Sequence, residues 1–139
     1  MPRLWALVTW NLPPEAYEAL GSMDRLTRLT LFNCQAEDLT ALGGMHALEE
    51  LILAEGPRSL EGVQALPRLI FLSLFGGASD LSPVAAMGKL EHLYLSNVSV
   101  TDFSPLAVPA SLARVTVDPE DAARVEADCP GHVFTLAAG

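Results

Sequence analysis

The sequence predicts an α/β solenoid, in which short parallel strands stack side by side and alternate with short 3₁₀ or helical turns. Two observations predict this fold: an LxxLxL motif that returns every 21 or 22 residues, and a second motif that follows it at a constant distance. With 139 residues, half of them apolar, the chain can form one domain with a continuous core.

The LxxLxL motif predicts the strands. It occurs as LTRLTL, LEELIL, LIFLSL and LEHLYL, starting at residues 26, 48, 69 and 90, and a weaker copy, LARVTV, starts at residue 112. The fourth and sixth positions lie on one side of a strand, and the position between them lies on the other. Counting back 22 residues from Leu26 gives an earlier unit, whose apolar positions hold Leu4, Leu7, Tyr17, Leu20 and Met23. In that unit Thr9 replaces the third leucine.

The segment after each strand also repeats, as DLTALGGMHAL (38–48), SLEGVQALPRL (59–69), DLSPVAAMGKL (80–90) and DFSPLAVPASL (102–112). Its apolar residues recur at three- or four-residue spacing, which favours a 3₁₀ or helical turn over a second strand. We expect Asp80 and Asp102 to cap backbone amides there, and Pro83 and Pro105 to occupy early turn positions. Because no unit can bury its apolar side alone, the units must stack, and the core must run along the stack.

We therefore expect a single domain, 1–139, with repeats at 4–25, 26–47, 48–68, 69–89 and 90–111 and a C-terminal cap at 112–139. In the cap, DPEDAARVEADCPG predicts a helix with Asp118 as its N-cap and Pro119 at the first helical position. The run HVFTL (132–136) predicts a final strand with Val133 or Phe134 facing the core. At the other end we expect Trp5 and the prolines at positions 13 and 14 to close the stack.

These units resemble the leucine-rich repeats of the 22-residue type found in bacterial internalins and in phosphatase regulators. The resemblance covers almost the whole chain, and DFSPL (102–106) is similar to the Asp-Ile-Ser-Pro-Leu of that family. It implies a right-handed horseshoe segment with a parallel sheet on the concave face, short turns on the convex face, and a protein ligand bound on the concave face.

The sequence departs from the family at the ninth position of each unit, where asparagine is usual. That position holds Leu12, Cys34, Gly56, Gly77 and Val98, whereas Asn33 and Asn97 lie one place earlier. Cysteine is a common substitute, and the others are not. We therefore expect an incomplete asparagine ladder and turns that are less uniform than those of internalins.

The strand phase identifies the side chains of the concave face, at the third, fifth and seventh positions of each unit. Five of the nine aromatic residues fall there, although leucine already fills the inward positions. Exposed aromatic residues with a polar rim are typical of protein interfaces. The predicted partner-binding residues are Trp10, Arg28, Phe32, Glu50, Ile52, Phe71, Phe75, His92, Tyr94 and Arg114. The alternative is that these aromatic residues pack on one another, or lie under a terminal segment, and bind nothing.

Composition and missing motifs argue against other functions. The 8 Lys and Arg against 17 Asp and Glu give a net charge of −9, which repels nucleic acid and is compatible with a basic protein partner. The apolar run in MPRLWALVTWNLPPE is too short for a membrane span and poorly suited to a signal peptide. Cys34 and Cys129 form no CxxC pair, so we expect free thiols and a cytoplasmic location.

The sequence contains no dinucleotide, P-loop, zinc-protease or serine-hydrolase motif, and its three histidines have no metal ligand at suitable spacing. We therefore expect no enzyme activity, no cofactor and no metal, but a module that binds one protein partner as a monomer or weak homodimer. A specific version is an antitoxin or immunity protein, which the small size and acidity motivate. The alternative, from the family alone, is a regulatory subunit of an enzyme such as a phosphatase or small GTPase. A secreted adhesin is disfavoured because no export signal or anchor is recognised.

Overall fold

Seven parallel strands form one open sheet in chain order in the computed structural model, which describes residues 5–34, 36–76 and 80–138. They are β1 (Ala6–Trp10), β2 (Arg28–Phe32), β3 (Glu50–Ala54), β4 (Phe71–Phe75), β5 (His92–Ser96), β6 (Arg114–Val117) and β7 (Thr135–Ala138). Each of the first five strands runs from the third to the seventh position of its unit. The predicted parallel-sheet solenoid is confirmed. Leu4, where the first unit was predicted to begin, lies outside the described residues.

The strands pair without any shift in register. Arg28 lies between Ala6 and Glu50, and the same alignment continues along the sheet as far as Thr135 of β7. The alignment follows from the nearly constant repeat length. Each unit has an equivalent strand and turn, so the next strand begins level with the one before it. Residues at equal positions of successive units therefore form straight columns across the sheet.

A layer of short helical turns lies behind the sheet. Four 3₁₀ helices occupy Thr40–Leu42, Val63–Ala65, Ser82–Ala86 and Ser104–Ala107, and the first unit has an α-helix instead, α1 (Ala16–Gly21). The Asp80 carboxylate accepts hydrogen bonds from the backbone N–H and the hydroxyl of Ser82, at 2.9 and 2.6 Å, and thereby lowers its own pKa. The predicted caps and the early prolines are thus confirmed for the third and fourth 3₁₀ helices.

The core lies between the two layers and is built from repeated apolar positions. The strands contribute leucines at the fourth and sixth positions, a further leucine at the first position precedes each of the strands β2 to β6, and the turns contribute apolar residues at three-residue spacing. The buried turn residues are Leu39, Leu42, Met45, Leu60, Val63, Leu66, Leu81, Val84, Met87, Phe103 and Leu106. Every unit therefore shares its apolar surface with the units beside it, as expected of a solenoid.

The eighth position of each of the first five units has a left-handed backbone. It is Asn11, Asn33, Glu55, Gly76 or Asn97, with φ values of 53°, 53°, 59°, 72° and 52°. Asparagine and glycine adopt this conformation more readily than other residues, which explains why asparagine occurs one place before the expected ninth position. The Asn33 amide also donates a hydrogen bond to the Asn11 side chain, so part of a ladder exists at the eighth position.

Glu55 is the exception in this column, because it has a left-handed φ without the side chain of asparagine or the freedom of glycine. We expect Glu55→Asn to raise the free energy of unfolding by about 0.5–1 kcal/mol, part of the cost of a left-handed residue. Chemical denaturation followed by circular dichroism measures this change. Glu91→Asn is the matched control, since Glu91 is exposed and has no positive φ. An equal effect at both positions would show that charge, and not backbone conformation, is responsible.

The C-terminal cap contains the predicted helix, α2 (Pro119–Asp128), with Asp118 at its N-cap position. The Asp118 side chain, however, does not cap the helix. Its two oxygens accept hydrogen bonds from the Ser96 hydroxyl at 3.1 Å and the Asn97 backbone N–H at 2.7 Å. In earlier units the eighth-residue N–H donates to the backbone carbonyl of the next strand, as Asn33 does to Ala54. At the last full repeat the Asp118 carboxylate provides that acceptor instead.

The last strand begins three residues later than predicted. β7 starts at Thr135, because pairing with Arg114 sets its register, and Leu136 then lies beside Val115. Val133 does not face the core, since it is 85% exposed. Phe134 is buried as expected, although it precedes the strand.

The N-terminal end is not closed by Trp5 or the two prolines, which are all exposed. Trp5 precedes β1 at the position that the exposed residues Glu49 and Glu91 occupy in later units, beyond the edge of the core. Among the described residues of this unit, the buried side chains are those of Tyr17 and Leu20 in α1.

Both cysteines are free and buried. Cys34 accepts a hydrogen bond from the Tyr17 hydroxyl at 3.3 Å, and the Cys129 thiol donates one to the carbonyl oxygen of Phe103 at 3.1 Å. Burial raises the pKa of the Cys129 thiol, with nearby carboxylates acting in the same direction. These two cysteines therefore have structural contacts at opposite ends of the core.

Candidate protein-binding surface

The structure places all ten predicted residues on one face of the sheet, the concave face of the predicted fold. The three columns of this face are the third, fifth and seventh positions of the units. The other described aromatic residues lie elsewhere: Tyr17, Phe103 and Phe134 are buried in the core, and Trp5 precedes β1. The position of an aromatic residue within its repeat unit thus distinguishes the aromatic residues of the core from those of the sheet face.

The aromatic residues of the concave face form pairs. Trp10 stacks on Phe32 with ring centroids 5.6 Å apart and planes 12° from parallel. Phe75 contacts Tyr94 at 5.4 Å with a tilt of 38°. The aromatic rings therefore do pack on one another, as the first part of the alternative interpretation expected. Pairing nevertheless leaves Trp10 62%, Phe75 41% and Phe32 37% exposed, so the rings do not bury one another.

A groove of about 720 Å³ lies on this face between the two pairs. Ile52 and Ala54 of β3 lie between the aromatic residues, and Glu55 and two asparagines lie at the carboxyl ends of the strands. The residues that line the groove are Trp10, Thr30, Phe32, Asn33, Ile52, Ala54, Glu55, Phe75 and Asn97. Its walls are mostly apolar, with polar groups along one rim, which is typical of a recognition site.

A smaller depression of about 200 Å³ lies toward the C-terminal end of the sheet. Phe71 meets His92 edge-on at 6.1 Å, and Tyr94 and Arg114 line the depression beside them, together with Leu93 and Thr116. These four predicted residues are therefore close together, whereas Trp10 and Phe32 belong to the larger groove. The predicted surface consists of two adjacent depressions joined by the Phe75–Tyr94 pair.

The remaining charged residues form part of the rim. Arg28 and Glu50, neighbours in the third column, form an ion pair in which the side chains are 63% and 37% exposed. Such an exposed pair contributes at most about 1 kcal/mol to stability. The ion pair neutralises one edge of the face, and neither of its members lines the groove. Among the described residues that do line the groove, the charged one is Glu55.

Three features of the surface escaped the sequence prediction. Ser73 is buried, 4% exposed, because Phe71, Phe75, Ile52 and Tyr94 surround it on its own strand and across the sheet. Ala54 occupies the seventh column between Phe32 and Phe75, and its small side chain leaves a gap that its column position alone does not indicate. Glu55 follows the strand and lies outside the three columns, although a glutamate in a column of asparagine and glycine is a signal of an unusual position.

The described residues contain no cluster of three or more potential metal ligands. Among the helices within the described ranges, none combines the length and apolar character that a membrane span requires.

No protein-family model matches the sequence, and no curated protein matches it either. Solved structures do match: an internalin, InlF, of Listeria monocytogenes superposes with a TM-score of 0.63 at 22% identity. That match covers 88% of this chain but only 37% of InlF. A second internalin from the same organism, InlC2, gives a TM-score of 0.49 at 18% identity, with 85% of this chain and 64% of that chain covered. With its seven-stranded parallel sheet and repeated turns, the chain has a leucine-rich-repeat fold similar to that of an internalin.

Proposed function

We propose that this chain is a non-catalytic protein-binding module whose partner docks on the concave face. The observation that supports the proposal is the presence of two aromatic contacts, the stacked pair Trp10–Phe32 and the tilted pair Phe75–Tyr94, on either side of an open groove. Rigid aromatic side chains that remain exposed on a sheet provide large contact area at low entropic cost, and they are the residues that dominate binding energy in protein interfaces.

The core does not need these side chains. Each strand already buries leucines from its fourth and sixth positions, for example Leu51 and Leu53 of β3. The aromatic residues point away from that core and keep much of their area in solvent. A contiguous exposed apolar patch of this kind is costly in water unless a partner covers it.

The test compares variants by affinity capture from the native host with quantitative mass spectrometry. We expect Trp10→Ala and Tyr94→Ala each to reduce the captured partner at least about 30-fold, which corresponds to a hot spot of about 2 kcal/mol. The melting temperature should remain nearly unchanged, because both rings lie outside the core. Val108→Ala is the matched control, since Val108 is 63% exposed but follows the 3₁₀ helix Ser104–Ala107 on the opposite layer.

Retention of the same partner by both aromatic variants would overturn the proposal. So would a large loss of stability in both, because that would assign the rings to the core. A protein captured equally by the wild type, the aromatic variants and Val108→Ala is a nonspecific contaminant and counts against docking on this face.

A finer version of this proposal is an inhibitor of the immunity or antitoxin type. The net charge of −9 supports a basic partner, because complementary charge accelerates association and disfavours wrong partners. Loss of the partner's toxicity on co-expression with this chain is the expected result. A change in the rate of an enzyme without loss of toxicity would favour the alternative, a regulatory subunit.

A further inference from the structure

The centre of the groove is a slot one residue wide. Ala54 lies between Phe32 on β2 and Phe75 on β4 in the same column. Phe32 is stacked against Trp10, and Phe75 is tilted onto Tyr94, so each ring is paired on the side away from Ala54. We call Phe32, Ile52, Ala54, Glu55 and Phe75 the Ala54 slot.

The width of the slot suits a flat group. Two strand spacings separate Phe32 from Phe75, about 9.5 Å between their backbones. A planar group in van der Waals contact with carbon atoms on both sides needs about 7–8 Å. Alanine is the small residue that leaves this space open.

The charge at the slot is negative. Glu55 lies at its mouth, directly after Ala54, and none of the described residues that line the groove with it is a cation. Arg58 lines the depression on the other side of Glu55, but the two form no ion pair within the described part of the chain. The left-handed φ of 59° at Glu55 also carries a backbone cost that an asparagine at this position would reduce.

We propose that the Ala54 slot receives an arginine side chain of the protein partner, with its guanidinium between Phe32 and Phe75 and paired with the Glu55 carboxylate. A guanidinium is planar, stacks on aromatic faces and binds a carboxylate through two parallel hydrogen bonds. A lysine ammonium is compact and strongly hydrated, and it cannot fill a flat slot in the same way. This inference rests on the proposed function, and it names the chemical group that the groove recognises.

The experiment is a titration of the ¹⁵N-labelled full chain with the peptide acetyl-Gly-Arg-Gly-amide, followed by heteronuclear NMR. We expect saturable shifts of the Ala54 and Glu55 amides and of the Trp10 indole, with a Kd of about 1–10 mM. The same peptide with citrulline, a neutral isostere of arginine, should bind at least about fivefold more weakly. The lysine peptide should also bind more weakly than the arginine peptide.

Two variants locate the contact on the protein. Glu55→Gln should weaken binding of the arginine peptide at least about fivefold, since it removes the charge but keeps the size of the side chain. Glu91→Gln removes the same charge at an exposed site that does not line the groove and should leave binding unchanged. Equal affinity for arginine and citrulline, equal effects of the two variants, or absence of shifts up to about 50 mM peptide would each overturn the inference.

Capture of the natural partner by these variants distinguishes failure of this inference from failure of the proposed function. If Glu55→Gln retains the partner fully while Trp10→Ala loses it, the concave face binds the partner but not through an arginine in the slot. If Trp10→Ala and Tyr94→Ala retain the partner, docking on the concave face is wrong, whatever the peptide shows.

Discussion

Replacement of Phe103 by alanine is expected to lower the free energy of unfolding by about 3–5 kcal/mol. Phe103 is fully buried in the turn layer of the last repeat, and its backbone contacts the C-terminal end of α2. Its backbone N–H donates to Asp128 at 2.9 Å, and its carbonyl oxygen accepts from the Cys129 thiol at 3.1 Å. The cavity left by the ring would lie beneath the cap, so that both a repeat and the cap lose packing. Since single domains are stable by only about 5–15 kcal/mol, the loss is a large part of the total.

Phe103→Leu is the matched control, because leucine occupies the same position in three earlier units, as Leu39, Leu60 and Leu81. A volume-reducing but apolar change of this kind is expected to lower stability by about 1 kcal/mol. Urea denaturation followed by circular dichroism measures both variants. Equal midpoints for the two variants would show that the turn position needs only an apolar residue and that the cap does not depend on the ring.

Gly62→Ala is the second change with a large expected effect, about 3 kcal/mol of lost stability, because it combines backbone strain with overpacking. Gly62 has a φ of +103°, and a Cβ atom there would lie 2.5 Å from the backbone carbonyl carbon of Leu39 and 2.5 Å from the backbone nitrogen of Thr40. Both clashing atoms belong to the backbone of the preceding unit and cannot rotate away. The two units would have to separate locally.

Substitutions at two other glycines separate the contribution of backbone strain from that of the steric clash between units. Gly131 also has a positive φ, +72°, but an added Cβ would meet nothing within 4 Å, so Gly131→Ala carries the backbone strain alone. Gly88 has neither a positive φ nor a neighbour within 4 Å, and Gly88→Ala should be neutral or slightly stabilising. Thermal unfolding of the three variants should rank them Gly88, Gly131, Gly62 in order of increasing loss. A loss at Gly131 equal to that at Gly62 would mean that contact between units contributes nothing.

The presence of the strands and the direction of their side chains could be predicted because both depend on a repeat. Every unit faces the same neighbours, so the leucine positions alone determine which side chains point inward and where each strand pairs. The repeat period agrees with the observed start of β7, whereas the local apolar pattern of HVFTL places the strand three residues too early. Adding 21 residues to Leu112 reaches Val133 as a first position and Thr135 as the start of the strand, which is where β7 begins.

The features that could not be predicted depend on backbone conformation and on the open space between side chains. The left-handed eighth position explains the asparagines, but a sequence pattern does not state a φ angle. The role of Asp118 depends on which donors stand beside it, and the N–H of Asn97 outcompetes the helix amides. Likewise, the aromatic columns were visible in the sequence, whereas the pairing of the rings and the space above Ala54 appear only when neighbouring strands are placed side by side.

The alignment of equal positions into straight columns makes the width of the groove a whole number of strands. A single strand, β3, separates the two aromatic pairs, so inserting or deleting one repeat would change their separation by about 4.8 Å and by no smaller amount. Point substitutions on β3 can vary the depth and charge of the groove, but only a change in repeat number can vary its span. Relatives of this chain with a different number of repeats between the aromatic pairs should therefore recognise groups of a different size.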